Sequence, residues 1–253
     1  MLIYGIIPAR LAATRLPNKP LADIAGKPMI QRVWERALRA ECLNKVLIAT
    51  PDEEIFREVQ AFGGTAIMTS PDHSSGTDRL AEAAQTLDAD IIVNIQGDEP
   101  LIDTAAIQAA TSPFTHSSQL STLNSDPRMS SLMCPCPTED LDNPACVKVV
   151  CDLAGSALYF SRSRIPYPRA TAAGSRVMQH IGLYAYRRDF LLEFAKLSPT
   201  PLEQAESLEQ LRALEHGYSI RMVEIAEAPL SVDTPEDLER VRALFEVKSK
   251  TTY

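Results

Sequence analysis

The sequence predicts an α/β protein: a doubly wound, mostly parallel sheet with helices on both faces. Three observations predict it. Short apolar runs alternate with amphipathic stretches up to about residue 95, the β-α-β-α order that produces parallel strands joined by crossover helices. The run Asp90-Ile-Ile-Val-Asn-Ile95 is apolar at almost every position, as strands covered on both faces are. The runs end at residues that stop or start elements, such as Gly63-Gly64 and Thr234-Pro-Glu-Asp237.

Taken in order, Ile3–Ile7 reads as a first buried strand and Met29–Leu38 as a helix after Gly26-Lys27-Pro28. Lys45–Thr50 is the next strand, Glu53–Phe62 the next helix, and Thr65–Met68 a short strand. Asp78–Leu87 reads as a helix that Ser75 or Thr77 could cap, and it leads to the 90–95 strand. From about Ser112 to Pro137 the composition turns to Ser, Thr, Pro and Cys. Beyond it, Ala145–Val150 and Ser156–Phe160 read as strands around an Asp152-Leu-Ala-Gly155 turn, followed by a strand at His180–Tyr186. Helices are expected at Asp189–Lys196 and Leu202–His216, and a strand at Tyr218–Glu224. Thr234 as cap, Pro235 in the first turn and acids after it open a last helix to about Val247. A single domain is expected, with one half at about 1–111 and 218–247 and the other at about 112–217. The second half would hold a smaller mixed sheet.

The bulk numbers narrow the function classes. The chain has 253 residues and is 45% hydrophobic, enough for a substantial core. Its net charge of −8 argues against a nucleic-acid partner. Residues 1–50 run the other way, with eight Lys and Arg against three acids, which suits a small anionic ligand. Five cysteines without a regular framework suit a reducing compartment. Cys134-Pro-Cys136 has the wrong spacing for a zinc pair, so all five read as ordinary thiols. Leu2–Ile7 is too short and lacks the basic flank of a signal peptide, and no spanning helix is legible; the cytoplasm is the expected location.

The chemistry concentrates where strands end. The loop after the first strand carries Arg10, Thr14, Arg15 and Lys19, with Pro17 and Pro20 limiting its freedom. Three fixed cations in one loop repel each other unless a highly charged anion such as a nucleoside triphosphate sits among them. No Walker A or Gly-x-Gly-x-x-Gly pattern is present. Asn94-Ile-Gln-Gly-Asp-Glu-Pro100 ends the most apolar strand and projects Asp98, a carboxylate suited to Mg²⁺ on phosphates or to stabilising a turn. Asp233 would become a second metal carboxylate only if its segment lies beside the first strands. Ser75, Gly76 and Thr77 offer donors and close backbone approach to a base or ribose, and His73 reads as a loop hydrogen-bonder. In the second half, Arg162, Arg164, His180, Tyr184, Tyr186, Glu206, Glu209 and Gln210 suit a hydroxyl-rich acid or a solvated surface over core tyrosines.

Several of these stretches together resemble a known family. They are Ile-Pro-Ala-Arg10, Thr-Arg15-Leu-Pro-x-Lys19-Pro-Leu, His73-x-Ser-Gly-Thr-x-Arg79, Val-Asn-x-Gln-Gly-Asp-Glu-Pro100 and Asn143-Pro-x-x-Val-Lys148-Val. Ala157-Leu-Tyr-Phe-Ser-Arg-x-x-Ile-Pro166, His180-x-Gly-x-Tyr184, Leu208-Glu-Gln-Leu-Arg212 and Val232-Asp-Thr-Pro-Glu-Asp-Leu-Glu239 continue the match. In this order they resemble the bacterial 3-deoxy-manno-octulosonate (Kdo) cytidylyltransferases, or CMP-Kdo synthetases.

The resemblance implies a nucleotidyltransferase-type domain, a homodimer, and CTP plus Kdo giving CMP-Kdo and pyrophosphate with Mg²⁺ for lipopolysaccharide synthesis. It implies Arg10, Arg15 and Lys19 on the triphosphate, with Pro8, Ala9 and Thr14 in the same nucleotide loop. Ser75, Gly76 and Arg79 would lie by the cytidine, and Asp98 and Asp233 on the metal. Gln96, Arg162, His180, Tyr184, Glu209 and Gln210 would line a sugar-acid pocket in the half that also dimerises. Two departures stand out. Asn18 replaces a usual Gly, and Asn is the non-Gly residue most tolerant of positive φ. Ala228-Pro-Leu-Ser-Val232 replaces a usual Pro-Gly-Thr-Gly-Val and is one residue shorter. The rival readings are a nucleotidyltransferase for another sugar or another NTP, and a non-catalytic nucleotide-binding regulatory protein.

Overall fold

Strand β1 (Ile3–Pro8) opens a four-stranded parallel sheet. The computed structural model describes residues 1–12, 16–73, 75–115, 127–169 and 176–250. They form two compact units, 1–108 with 229–253, and 109–228. In the first unit β1 is followed by a two-stranded ribbon, β2 (Asp23–Ile24) and β3 (Lys27–Pro28), closed by Ala25 and Gly26 at φ 52° and 80°. Positive φ at both central positions is what a tight hairpin turn requires. Helix α1 (Met29–Ala37), β4 (Lys45–Thr50), α2 (Glu53–Ala61), β5 (Thr65–Met68), α3 (Gly76–Gln85) and β6 (Ile91–Asn94) complete the run.

The strand order is β6-β1-β4-β5. From β1 the chain steps outward through β4 to β5, then returns across the sheet to place β6 on the other side of β1. Right-handed crossovers therefore put α1 and α2 on one face and α3 on the other. The order reverses between β1 and β6. Such a switch point opens a crevice at the carboxyl ends of the two strands, the place where open α/β sheets bind ligands. The loops that leave it are Pro8-Ala9-Arg10 and Ile95-Gln96-Gly97-Asp98.

Helix α4 (Thr104–Thr115) carries the chain into the second unit. There β7 (Met129–Pro135), β8 (Lys148–Cys151), β9 (Ala157–Ser161) and β10 (Met178–Arg187) form a mixed sheet. β10 lies antiparallel to both β7 and β8, and β9 is antiparallel to β8. Helices α5 (Arg188–Phe194), α6 (Pro201–Glu206) and α7 (Gln210–Glu215) follow, then β11 (Ile220–Glu224), parallel to β7. Helix α8 (Pro235–Lys250) ends the chain in the first unit. Among the described residues no helix is long and apolar enough to cross a membrane.

Several elements depart from the sequence reading, the β2–β3 ribbon among them. The helix expected over Leu202–His216 is two helices, broken at Ser207 with φ 52° and ψ 50°. Past the left-handed residue, Leu208, Gln210 and Leu211 are buried. Helix α4 and strand β7 stand where the sequence showed no pattern. In β7 the serines replace expected apolar residues because the fold supplies their partners. Ser130 Oγ donates to Ala110 O at 2.6 Å, and Ser131 Oγ meets Ile181 O and Leu183 O at 3.0 and 3.1 Å.

Candidate active site

The cleft at the switch point begins with the first loop. Ala9 N donates to Ala49 O, and Leu11 N to Asp52 Oδ2 at 2.8 Å, so β4 and its exit loop hold the start of the first loop. Asn18 adopts φ 54° and ψ 27°, the left-handed conformation that Gly would otherwise supply. It launches a short 3-10 turn, Lys19–Leu21, which aims Lys19 into the cleft. Thr14 and Arg15 lie outside the described residues.

Across the cleft, Gly97 brings the exit of β6 against β1. A Cβ at position 97 would stand 3.1 Å from Pro8 O, so close backbone approach is the reason for glycine there. Asp98 then projects over the first loop. Its backbone oxygen accepts from Val232 N at 2.8 Å, which ties the distant segment carrying Asp233 to the same spot. Asp237 completes the cap of α8 by accepting from Asp233 N, Thr234 N and Thr234 Oγ1, while Thr234 Oγ1 accepts from Asp237 N. These bonds hold the Asp237 carboxyl below its ordinary range.

Lys19 Nζ binds Asp98 Oδ2 at 2.7 Å and Asp233 Oδ1 at 3.1 Å. One ammonium thus holds two carboxylates that are far apart in sequence. The ion pairs do not by themselves place Asp233, because pairs still open to solvent contribute about 0–1 kcal/mol each. Apolar packing does it. Val232, Leu238 and Val241 are buried against Ile24 and Met29, and each buried aliphatic side chain contributes about 1.5–3 kcal/mol. The β2–β3 ribbon is therefore the seat of α8, and Arg242 Nε reinforces it by donating to Asp23 O at 2.8 Å.

The cleft has a volume of about 430 Å³ and is lined by Arg10, Lys19, Gln96, Gly97, Asp98 and Asp233, among others. Pro8, Ala9 and Arg10 also line a smaller recess of about 100 Å³ with Ser75, Gly76 and Arg79. Ser75 caps α3 in a capping box with Asp78. Arg79 is buried and donates to Thr69 Oγ1 and Ser70 O. Burial lowers its pKa first, and the nearby positive charge of Arg10 lowers it further. Two guanidiniums that repel each other beside an open recess favour an anion between them. His73 pairs with Glu82 and not with the cleft.

Glu99, next to Asp98, carried no assignment in the sequence reading. It is 6% exposed, and its Oε2 has no hydrogen-bond partner among the described residues. Burial, and secondarily the charge of Asp98, pushes its pKa to about 8, so the carboxyl is protonated at neutral pH. Only its position beside Asp98 in an apolar strand exit could have signalled this. Because the native state binds this proton more tightly than the unfolded chain, Glu99 should cost stability progressively as pH rises from about 4.5 to about 8. Glu99→Gln mimics the neutral form. Its Tm relative to the parent protein should therefore rise across that window in calorimetry and level off above it; a difference independent of pH would contradict a neutral Glu99.

In the second unit, Phe160 and Tyr184 flank the His180 ring at centroid distances of 5.0 and 5.4 Å, and Ser131 Oγ lies 3.0 Å from His180 Nε2. Burial pushes the His180 pKa down to about 3, so the ring is neutral. Burial, with the charge of Glu209, raises that of Tyr184. Gln210 is buried, and its Nε2 has no partner among the described residues. Arg162 is anchored to backbone: its guanidinium donates to Glu206 O, Pro144 O and Ser207 O at 2.7, 3.0 and 3.2 Å. Gln96 belongs to the first unit.

Residues 4–223 match the cytidylyltransferase family. The chain belongs to this family. This cytidylyltransferase is 52% identical over 253 residues to the 3-deoxy-manno-octulosonate cytidylyltransferase of Geobacter sulfurreducens, covering 95% of the chain and 98% of that protein. It is 52% identical over 248 residues to the protein of the same name from Solibacter usitatus, covering 96% and 94%. Among solved structures it is similar to CMP:2-keto-3-deoxy-manno-octonic acid synthetase complexed with CTP. That likeness has a TM-score of 0.91 at 45% identity and covers 98% of this chain and 100% of that one. The α/β nucleotidyltransferase fold of this enzyme thus agrees with the fold class the sequence predicts.

Proposed function

We infer that this cytidylyltransferase transfers CMP from CTP to Kdo, giving CMP-Kdo and pyrophosphate. The observation that carries the reading is the convergence of Asp98 and Asp233 on Lys19 in a cleft continuous with Arg10. A protein that only bound nucleotide would not need two carboxylates beside a phosphate loop, because they repel phosphate unless a cation intervenes. Relatives at 52% identity that carry the Kdo cytidylyltransferase name support the same substrates.

The donor set fits Mg²⁺. Among the described residues no group of three or more His, Cys, Asp and Glu could hold a metal, but Mg²⁺ commonly takes only one or two protein carboxylates and completes its shell with water and phosphate oxygens. Asp98 and Asp233 already hold a cation, the Lys19 ammonium, at 2.7 and 3.1 Å. When bound, the metal supplies charge neutralisation at the α-phosphate and lowers the pKa of a nearby hydroxyl.

The protein's own groups do the rest by positioning and charge. Arg10 holds the triphosphate near Arg79 and the Ser75–Gly76 recess, where the cytidine lies. The anomeric hydroxyl oxygen of the sugar acid attacks the α-phosphorus, and the bond to the bridging oxygen of the β-phosphate breaks in line. The hydroxyl proton leaves to solvent, and the electron pair departs with pyrophosphate. Lys19, released from the carboxylates, and Arg15 balance the charge on that leaving group. No covalent enzyme intermediate is required. Arg162, His180, Tyr184, Glu209 and Gln210 recognise the sugar acid; the neutral His180 ring and the buried Gln210 amide suit hydroxyls.

The reading also carries a cytoplasmic homodimer that supplies lipopolysaccharide synthesis. The cysteine usage of the sequence, five without a regular framework, suits the compartment.

Pyrophosphate release measured with each of the four NTPs, with and without Kdo and Mg²⁺, tests the function. Release is expected only with CTP, Kdo and the metal together. Release with another NTP would favour the related nucleotidyltransferase, and CTP binding without a Kdo-dependent product would favour a regulatory protein.

A further inference from the structure

We propose that Cys136 and Cys146 form an oxidisable dithiol, a modification site that closes a disulfide across the 137–145 loop when it meets a small-molecule disulfide such as oxidised glutathione. The two sulfurs stand 3.7 Å apart. A disulfide needs them at about 2.05 Å, so rotation about the side-chain bonds and a small approach of the loop ends suffice. The other three cysteines are placed differently: Cys134 is buried in β7, the Cys151 sulfur faces Met133 Sδ at 3.7 Å, and Cys42 belongs to the first unit.

The frame around the pair is rigid where it must be and open where it must yield. Cys136 directly follows β7, and its N–H donates to Val177 O at 2.9 Å. Cys146 lies two residues before β8. The same stretch of β10, Met178–Gln179, pairs with Pro135 and Cys134 on one side and with Val149 and Lys148 on the other. One strand segment thus pins both ends of the loop. Between them Asp142, Asn143, Pro144 and Ala145 are exposed to solvent.

The loop also carries functional anchors. Asn143 O accepts from Lys148 Nζ, a fully buried ammonium, at 2.6 Å, and Pro144 O accepts from Arg162. Closing the loop acts on the seat of both cations.

The order of events follows from exposure. Cys136 is half-buried between exposed Pro135 and Pro137, while Cys146 is buried. The Cys136 thiolate attacks one sulfur of oxidised glutathione, and one glutathione thiolate leaves. Cys146 then loses its proton to solvent and attacks Cys136 Sγ, which expels the second glutathione. Two protein thiols are oxidised to one disulfide, and one glutathione disulfide is reduced to two thiols. Burial, with Cys136 alongside, pushes the Cys146 thiol up to about 12, and Lys148 opposes this. The second step should therefore quicken as pH rises.

The test uses the intact protein with oxidised glutathione, followed by mass spectrometry and non-reducing peptide mapping. A loss of about 2 Da is expected, located to a peptide pair joined through Cys136 and Cys146 and reversed by dithiothreitol. Closing this short loop should also raise Tm by about 5 °C. Cys136→Ser should show no mass loss. Cys146→Ser should retain one glutathione at position 136. An unresolved glutathione on Cys136 of the parent protein, a crosslink through any other cysteine, or unchanged mass with both thiols still open to alkylation would each overturn the proposal. The parent protein's peptide map decides the matter even if a serine variant fails to fold.

Discussion

Asp98→Asn should lower turnover about a hundred- to a thousand-fold, the scale on which removing one preorganised electrostatic group acts, while the protein stays folded. The fold is spared because the substitution is nearly isosteric. The amide oxygen introduced at position 98 can still accept from Lys19 Nζ, and Val232 N bonds to the backbone oxygen there, not to the side chain. Chemistry is not spared, because an amide brings no negative charge to hold a cation against the triphosphate. Steady-state rates with CTP and Kdo, with a melting curve on the same sample, check this. Unchanged melting with lost turnover is the expected pair, and a near-parental rate would remove Asp98 from the metal-holding role.

Lys19→Met should also reduce turnover by at least about a hundred-fold, since one cation no longer balances the leaving pyrophosphate. A second effect runs in the opposite direction. Lys19 Nζ lies between Asp98 and Asp233, where the proposed divalent ion would sit. Any ion entering must displace that ammonium. With methionine there, two neighbouring carboxylates lose their internal counter-ion and repel each other. The free Lys19→Met protein is therefore expected to bind Mn²⁺ about tenfold more tightly than the parent, the size of one such electrostatic contribution. Electron paramagnetic resonance of free Mn²⁺ measures this without turnover. Unchanged or weaker Mn²⁺ binding would mean that the ammonium does not compete for the ion's place.

Much of this machinery was legible in the chain, for identifiable reasons. The run from Ile3 to Ile95 shows each strand and helix of the parallel sheet because strands buried on both faces must be apolar throughout and helices must be amphipathic. The cap at Thr234 and the left-handed tolerance of Asn18 are local properties, and both appear in the structure as expected. Strand β7 was hidden because Ser130 and Ser131 look like loop residues until Ala110, Ile181 and Leu183 provide acceptors. The break at Ser207 was hidden because nothing in Leu202–His216 interrupts helical spacing. Arg162 read as a cation for ligand; that three backbone carbonyls hold its guanidinium in place is a property of the folded chain alone. Glu99 read as an ordinary acid because its altered protonation comes from burial, which no neighbour in sequence reports.

By itself the sequence determined which side chains are available and which local shapes they take: a cation-bearing loop after a buried strand, a carboxylate at the exit of the most apolar strand, and a capped helix behind a second aspartate. Only the tertiary structure decided that the two aspartates share one cation. That depends on strand order reversing between β1 and β6, and on Val232, Leu238 and Val241 docking against a ribbon near the other end of the chain. Helical and strand periods are set by neighbours along the chain. The meeting of Asp98 with Asp233 is set by burial of apolar surface, which takes no account of separation along the chain.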